Sequence, residues 1–111
     1  MNVRVDVLFD SPDEDARNDL WGLGRTLADD PTAVRVFAPD GKPGWLSVEF
    51  TMPTEPQLAA VDKIDRVMRF AVLERLDSVI SFPKSAAERE RARRKNERRK
   101  AQRRAKKSIP K

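Results

Sequence analysis

The residues with the clearest chemistry lie in the last quarter of the chain. Residues 84–111 hold 14 Lys and Arg against 3 Asp and Glu, a net charge of +11. Cations at this density neutralise backbone phosphates and release their counterions, and the planar fork of arginine makes bidentate phosphate contacts. The candidate nucleic-acid-binding residues are Arg89, Arg91, Arg93, Arg94, Lys95, Arg98, Arg99, Lys100, Arg103, Arg104, Lys106 and Lys107.

The rest of the chain carries the opposite charge. Residues 1–83 hold 9 Lys and Arg against 15 Asp and Glu, a net charge of −6, so the +5 of the whole chain hides two unlike parts. We call residues 1–83 the body, an acidic domain, and residues 84–111 the arm. Phosphate contacts carry no sequence information. An inert solubilising tail, or an arm that folds back on the acidic body, stays open as an alternative.

Several kinds of chemistry are excluded by composition. The chain has no cysteine and no histidine, which removes disulfides, thiolate sites, the usual general base and the commonest metal ligand. The N-terminus carries charged residues within its first six positions and has no long apolar run, unlike a signal peptide. No apolar run approaches the roughly 20 residues of a membrane span. We therefore expect a cytoplasmic, non-enzymatic protein with no cofactor, no membrane contact and no small-molecule substrate.

Four carboxylates at the end of the first predicted strand are the best candidates for a metal site. Asp6, Asp10, Asp13 and Asp15 offer the oxygen ligands that Mg²⁺ prefers. Asp13 and Asp15 also fit the first turn of a helix, where acidic side chains favour the helix dipole. Asp6 alternates outward on the strand. We predict no metal and no catalytic residue here, with a metal-dependent nuclease as the minor alternative.

The first half of the body is predicted to contain a strand, a helix and a hairpin. Residues 2–9 alternate apolar and polar side chains, as half-buried strands do. Ser11 as N-cap, with a proline next and Glu14 three residues after the cap, predicts a helix start. Gly22 and Gly24 inside this helix indicate close packing or a local weakness. Residues 32–38 and 45–51 alternate again around a turn-rich loop, which predicts a β-hairpin.

The second half of the body adds a helix and a last strand. A capping box at Thr54 predicts a helix reaching to about Leu76, and residues 78–82 read as a strand. The predicted core face of this helix includes Leu58, Val61, Ile64, Met68, Phe70, Val72, Leu73 and Leu76. The order β-α-β-β-α-β predicts an α+β ferredoxin-like sandwich, with two helices on one face of a four-stranded antiparallel sheet.

The arm is predicted to be a basic, partly helical C-terminal extension. A further capping box begins at Ser85, and arginine, lysine and alanine are good helix formers. The arm has no stripe of leucine or valine to bury, so we expect it to be conditionally helical or disordered.

The sheet face away from the helices is the second candidate surface. Alternation places Arg4, Arg35, Phe37 and Trp45 there, and the two rings flank one hairpin as a candidate stacking or interface platform. RNA-recognition motifs, which share this fold, stack bases on aromatic residues of the central strands. Residues 44–50 resemble that strand in their glycine and outward tryptophan, but Ser47 stands where a second ring is expected, so the family is not assigned.

Together these features predict a non-catalytic protein that binds RNA or DNA, largely through phosphate contacts of the arm. The alternative is an adaptor or inhibitor that binds a protein through the open sheet face, with the basic tail docking on an acidic partner. Exposed apolar surface on a sheet also favours a homodimer through that face.

Overall fold

The computed structural model describes residues 1–84 and 93–95. The elements of the body are β1 (Asn2–Phe9), α1 (Glu14–Leu27), a 3₁₀ turn (Pro31–Ala33), β2 (Arg35–Phe37), β3 (Trp45–Thr51), α2 (Gln57–Ala71) and β4 (Arg75–Ser81). Residues 93–95 are helical. The capping box at Ser85 and the rest of the arm lie outside the described residues. Among the described helices, none is long and apolar enough to cross a bilayer.

The four strands form one antiparallel sheet in the order β2-β3-β1-β4. β1 lies in the middle and pairs with both β3 and β4, while β2 pairs with β3 at one edge. Both helices pack on the same side of this sheet, and they also contact each other. The predicted ferredoxin-like α+β sandwich is confirmed.

The core lies between the sheet and the two helices. β1 contributes Val3, Val5 and Val7, each at most 1% exposed, from alternate positions. Their partners include Leu20 of α1 and Ile64 of α2. Full burial of a side chain of this size stabilises a fold by roughly 1.5–3 kcal/mol. Within the described residues, all the buried core side chains lie before residue 84.

Both helices begin later than the sequence predicts. The N-cap of α1 is Asp13, whose carboxylate accepts a hydrogen bond from the Ala16 N–H at 3.0 Å, so the prediction of Ser11 as N-cap was wrong. Ser11 instead accepts from the Asp13 N–H at 2.8 Å in the preceding turn. α2 has no side-chain cap, because the Pro56 before it has an extended ψ of 138° and separates Thr54 from the helix.

β2 is shorter than predicted, and α2 ends five residues early. The Asp30 carboxylate accepts from the N–H and the hydroxyl of Thr32, at 3.0 and 2.6 Å. These bonds fix residues 31–33 as a 3₁₀ turn and delay the strand to Arg35. At the end of α2, Arg75 donates to the carbonyl oxygen of Val72 at 2.8 Å, and its backbone already starts β4.

The apolar face of α2 is narrower than predicted. Its buried residues are Ala60, Ile64 and Met68, spaced by four. The side chains of Leu58, Phe70, Leu73 and Leu76 are between 63 and 87% exposed, so their assignment to the core was wrong. Leu73 and Leu76 follow the end of the helix and therefore do not continue its stripe.

Gly24 marks a close approach of α1 to the hairpin. A Cβ atom at this position would lie 2.5 Å from Cγ1 of Val34 and 3.2 Å from Cγ2 of Val48. A Cβ atom at Gly22 would meet open space. The close packing indicated by this glycine pair is therefore present at Gly24 and absent at Gly22.

The two glycines give a matched test of this packing. We expect Gly24→Ala to lower the free energy of unfolding by about 1–2 kcal/mol, because overpacking outweighs the gain in helix propensity. We expect Gly22→Ala to raise it by about 0.5–1 kcal/mol, because only the propensity changes. Urea unfolding measures both, and equal effects of the two substitutions would contradict the close approach.

Candidate nucleic-acid interface

The open face of the sheet, on the side away from the helices, is built from three rows of side chains that cross the strands. The strand register sets each row. The first row is Arg35, Glu49, Arg4 and Ser81; the second is Phe37, Ser47, Asp6 and Val79; the third is Trp45, Leu8 and Asp77.

Three of the four candidate stacking residues meet on this face. The guanidinium of Arg35 lies 4.7 Å from the centre of the Phe37 ring, and that of Arg4 lies 5.2 Å from it. Such contacts contribute roughly 0.5–1 kcal/mol each at exposed sites. The Phe37 ring is therefore held under two arginines, and a guanidinium plane is itself a stacking surface for bases.

The two arginines differ in how their charge is compensated. Nε of Arg4 lies 3.0 Å from Oδ1 of Asp6, and its Nη1 lies 3.8 Å from Oε1 of Glu49. Arg35 is exposed at the sheet edge and makes no ion pair within residues 1–84. Arg35 is thus the cation of this face best placed to meet an incoming anion.

A buried polar pair lies at the centre of the same face. The Ser47 hydroxyl donates to Oδ1 of Asp6, which also accepts from Arg4. Ser47 is 0% exposed and Asp6 is 8% exposed, although both point away from the helices. Sequence reasoning missed this pair. Its only signal was a hydroxyl and a carboxylate at outward positions of two strands, and the pairing appears once the register is known.

Two of the four clustered carboxylates make hydrogen bonds that stabilise the fold. Asp6 is engaged by Ser47 and Arg4, and Asp13 caps α1. Within the described residues, no group of three or more Asp or Glu side chains is arranged to hold a metal ion. The predicted absence of a metal and of catalysis stays a prediction.

The exposed side of α1 is strongly acidic. Burial raises the pKa of Asp19, and the nearby charges of Asp15 and Asp13 raise it further. Like charges this close disfavour one another and would repel a phosphate. An anionic ligand is therefore directed away from the start of α1.

Trp45 has different surroundings from Phe37. It lies in the third row opposite Leu8, one row beyond Phe37, and it lines a cleft beside the hairpin loop. Diagonal neighbours on paired strands are about 7–8 Å apart, within reach of aromatic side chains. The ring contacts of Phe37, however, are made with arginine.

The arm leaves the sheet at the arginine row. Ser81, the last residue of β4, pairs with Arg4, and its hydroxyl donates to the Arg4 carbonyl oxygen at 3.4 Å. Lys84 follows three residues later. Neighbouring strands are about 4.8 Å apart, so this row spans roughly 15 Å from Arg35 to Ser81. Of the twelve candidate arm cations, Arg93, Arg94 and Lys95 are described, helical and exposed, and the others lie outside the described residues.

Comparison with known proteins adds little to this geometry. No protein-family model matches the chain, and no curated protein matches it significantly. A solved structure described as a crystal structure of antibiotic biosynthesis monooxygenase has 15% sequence identity and a TM-score of 0.42. The alignment covers 77% of this chain and 97% of that one. A likeness this weak carries no argument about chemistry.

The buried Asp6–Ser47 pair gives a stability prediction. We expect Ser47→Ala to lower the free energy of unfolding by about 1 kcal/mol, because one hydrogen bond is lost. Asp6→Ala should cost about 2–3 kcal/mol, because it also leaves the buried Ser47 hydroxyl unpaired.

A double-mutant cycle measured by urea unfolding checks the coupling. The combined substitution should cost about 1 kcal/mol less than the sum of the single ones. Additive costs would mean that the two side chains do not interact.

Proposed function

We propose that this protein binds RNA or DNA without catalysis, through the arm and the arginine row of the open face together. The observation that carries the proposal is the position of Arg35. Its guanidinium lies on the Phe37 ring, in the same row as Arg4 and as the strand end from which the arm leaves. The strand that leads into the arm therefore ends at the same end of the open face as Arg4 and Arg35.

The chemistry of this surface suits a nucleic-acid backbone. The arm supplies phosphate contacts, which contribute affinity without sequence preference. Arg35 and Phe37 supply a flat, cationic surface for an unstacked base or a phosphate. The acidic start of α1 repels the same ligand, and so favours its approach from the open face. Single strands are the better ligand for that face, because their bases are accessible for stacking.

A second candidate function rests on the exposed apolar side chains at the end of α2. Phe70, Leu73 and Leu76 are each more than 60% exposed. Large exposed apolar side chains of this kind mark protein-interaction surfaces when they are contiguous. The adaptor or inhibitor role, like a homodimer, is expected to use the open sheet face. The end of α2 offers the adaptor role a further surface, and the arm would then dock on an acidic partner.

The contribution of the arm to binding is tested by neutralising three of its cations in the full chain. We expect replacement of Arg98, Arg99 and Lys100 by glutamine to weaken binding to a single-stranded oligonucleotide. It should also reduce the slope of log K against log salt by about 2, because each phosphate contact on a single strand contributes roughly 0.7. Fluorescence anisotropy over a salt series measures both. Absence of binding by the unmodified chain at low salt would contradict the proposal and favour the adaptor role.

The open face is tested by one substitution and a matched control. We expect Arg35→Gln to weaken binding to a single strand about threefold to tenfold, because both a cation and a stacking plane are lost. Arg69→Gln removes another exposed cation, from α2 on the other side of the sheet. It should change affinity by less than Arg35→Gln does. Equal effects of the two substitutions would mean that net charge alone matters and that the open face is not a contact.

A further inference from the structure

A cleft of about 490 Å³ lies beside the hairpin loop, at the end of the sheet opposite the arginine row. Its walls come from the loop, from the first part of α1 and from Trp45, which is half-buried. The side chains that matter for a ligand are Pro39, Asp40, Lys42, Pro43 and Trp45. We call this the Trp45 cleft.

The loop that forms the cleft is anchored by its backbone. Gly44 accepts a hydrogen bond from the Phe9 N–H at 2.9 Å, and the Trp45 N–H donates to Lys42 at 3.2 Å. Gly41 and Gly44 have φ values of 72° and 85°, a region in which other residues are strained. A Cβ atom on Gly44 would also lie 3.1 Å from Cδ1 of Leu8. The backbone of Trp45 is therefore held in place before any ligand binds.

The residue types in the cleft fit one unit of a nucleic-acid strand. Trp45 and the two prolines offer flat apolar surface for a planar ring. Lys42 is an exposed cation at its rim, suited to a phosphate, whereas Arg17 on the α1 side of the rim lies among the carboxylates that repel one. Asp40 offers an acceptor for an exocyclic amino group or a ribose hydroxyl. A free inorganic anion would use Lys42 alone and leave the aromatic wall without a function.

We infer that the Trp45 cleft is a base-stacking subsite for a single-stranded nucleic acid that also contacts the arm. The inference rests on the proposed function and adds to it a second, distant contact. Trp45 lies four residues before Glu49 on β3, about 13 Å along the strand from the arginine row. A single strand that follows β3 across the open face therefore runs from the arginine row, past Phe37, to the cleft.

The test uses the full chain with Trp21→Phe, which leaves Trp45 as its one tryptophan. The probes are an oligouridylate of about 15 nucleotides and an abasic strand of the same length and charge. Both carry the phosphates that the arm needs, but only the first has bases to stack. We expect both to bind at low salt, and oligouridylate alone to quench Trp45 fluorescence substantially.

Two further variants separate stacking from a loss of folding. Trp45→Leu should weaken oligouridylate binding about tenfold and leave abasic-strand binding unchanged, while Trp45→Phe should keep most of the affinity, because phenylalanine still offers a ring. Lys42→Gln should weaken binding of both strands slightly. Circular dichroism of each variant checks that the fold is retained.

The outcomes distinguish the inference from the function on which it rests. Binding of oligouridylate without quenching, or equal affinity of the leucine and phenylalanine variants, would overturn the subsite and leave the arm-based function in place. No binding of either strand would overturn both. Quenching by oligouridylate and not by the abasic strand, with affinity lost only in the leucine variant, would establish the subsite.

Discussion

The arrangement of the sheet depends on β1, in which buried and outward-facing side chains alternate. This central strand pairs with β3 on one side and β4 on the other, and its valines are fully buried under the helices. Its alternate residues, Arg4 and Asp6, point to the open face. A slip of one residue would exchange the two sets and bury unpaired charges in the core. The cost of that exchange fixes the register of both neighbours, and so assembles every row of the open face.

The fixed register explains why the open face is polar at its centre. Asp6 lies directly opposite Ser47, and Arg4 reaches back to the same carboxylate oxygen. Burying a carboxylate is costly unless hydrogen bonds replace its water, and these two donors do so. The pair in turn engages Arg4 and leaves Arg35 as the less compensated cation. The Asp6–Ser47 pair therefore explains why the charge of Arg4 is compensated and that of Arg35 is less so, although both arginines contact the Phe37 ring.

Much of the fold could be predicted from the sequence, because the fold rests on local patterns. The bounds of β1 and β3 follow from alternation alone, and the order of the elements leaves few topologies. The helix starts could not be predicted, because Ser11 and Asp13 are both good caps and the turn before the helix selects between them. The exposure of Leu73 and Leu76 could not be predicted either, because it depends on where α2 ends, and Arg75 caps that end from the next strand.

The contacts within the candidate site could be predicted less well than the fold. Arg4, Arg35, Phe37 and Trp45 could be placed on one face by counting residues, but their contacts depend on the pairing of three strands. Phe37 was expected beside Trp45, whereas its ring contacts are with arginines that come from β1 and from its own strand. The cleft beside Trp45 depends on two glycines whose conformation the sequence only suggests.

The opposite charges of body and arm constrain any ligand that uses both. An arm of charge +11 is attracted to the body of charge −6 as well as to phosphate, and salt weakens both attractions. The body can therefore add to the affinity that the arm supplies only through a contact that salt screens less. Stacking on Arg35 and Phe37 is such a contact, because its apolar component does not depend on ionic strength. The acidic side of α1 repels the same ligand, so its charge favours an approach from the open face over one from the helices.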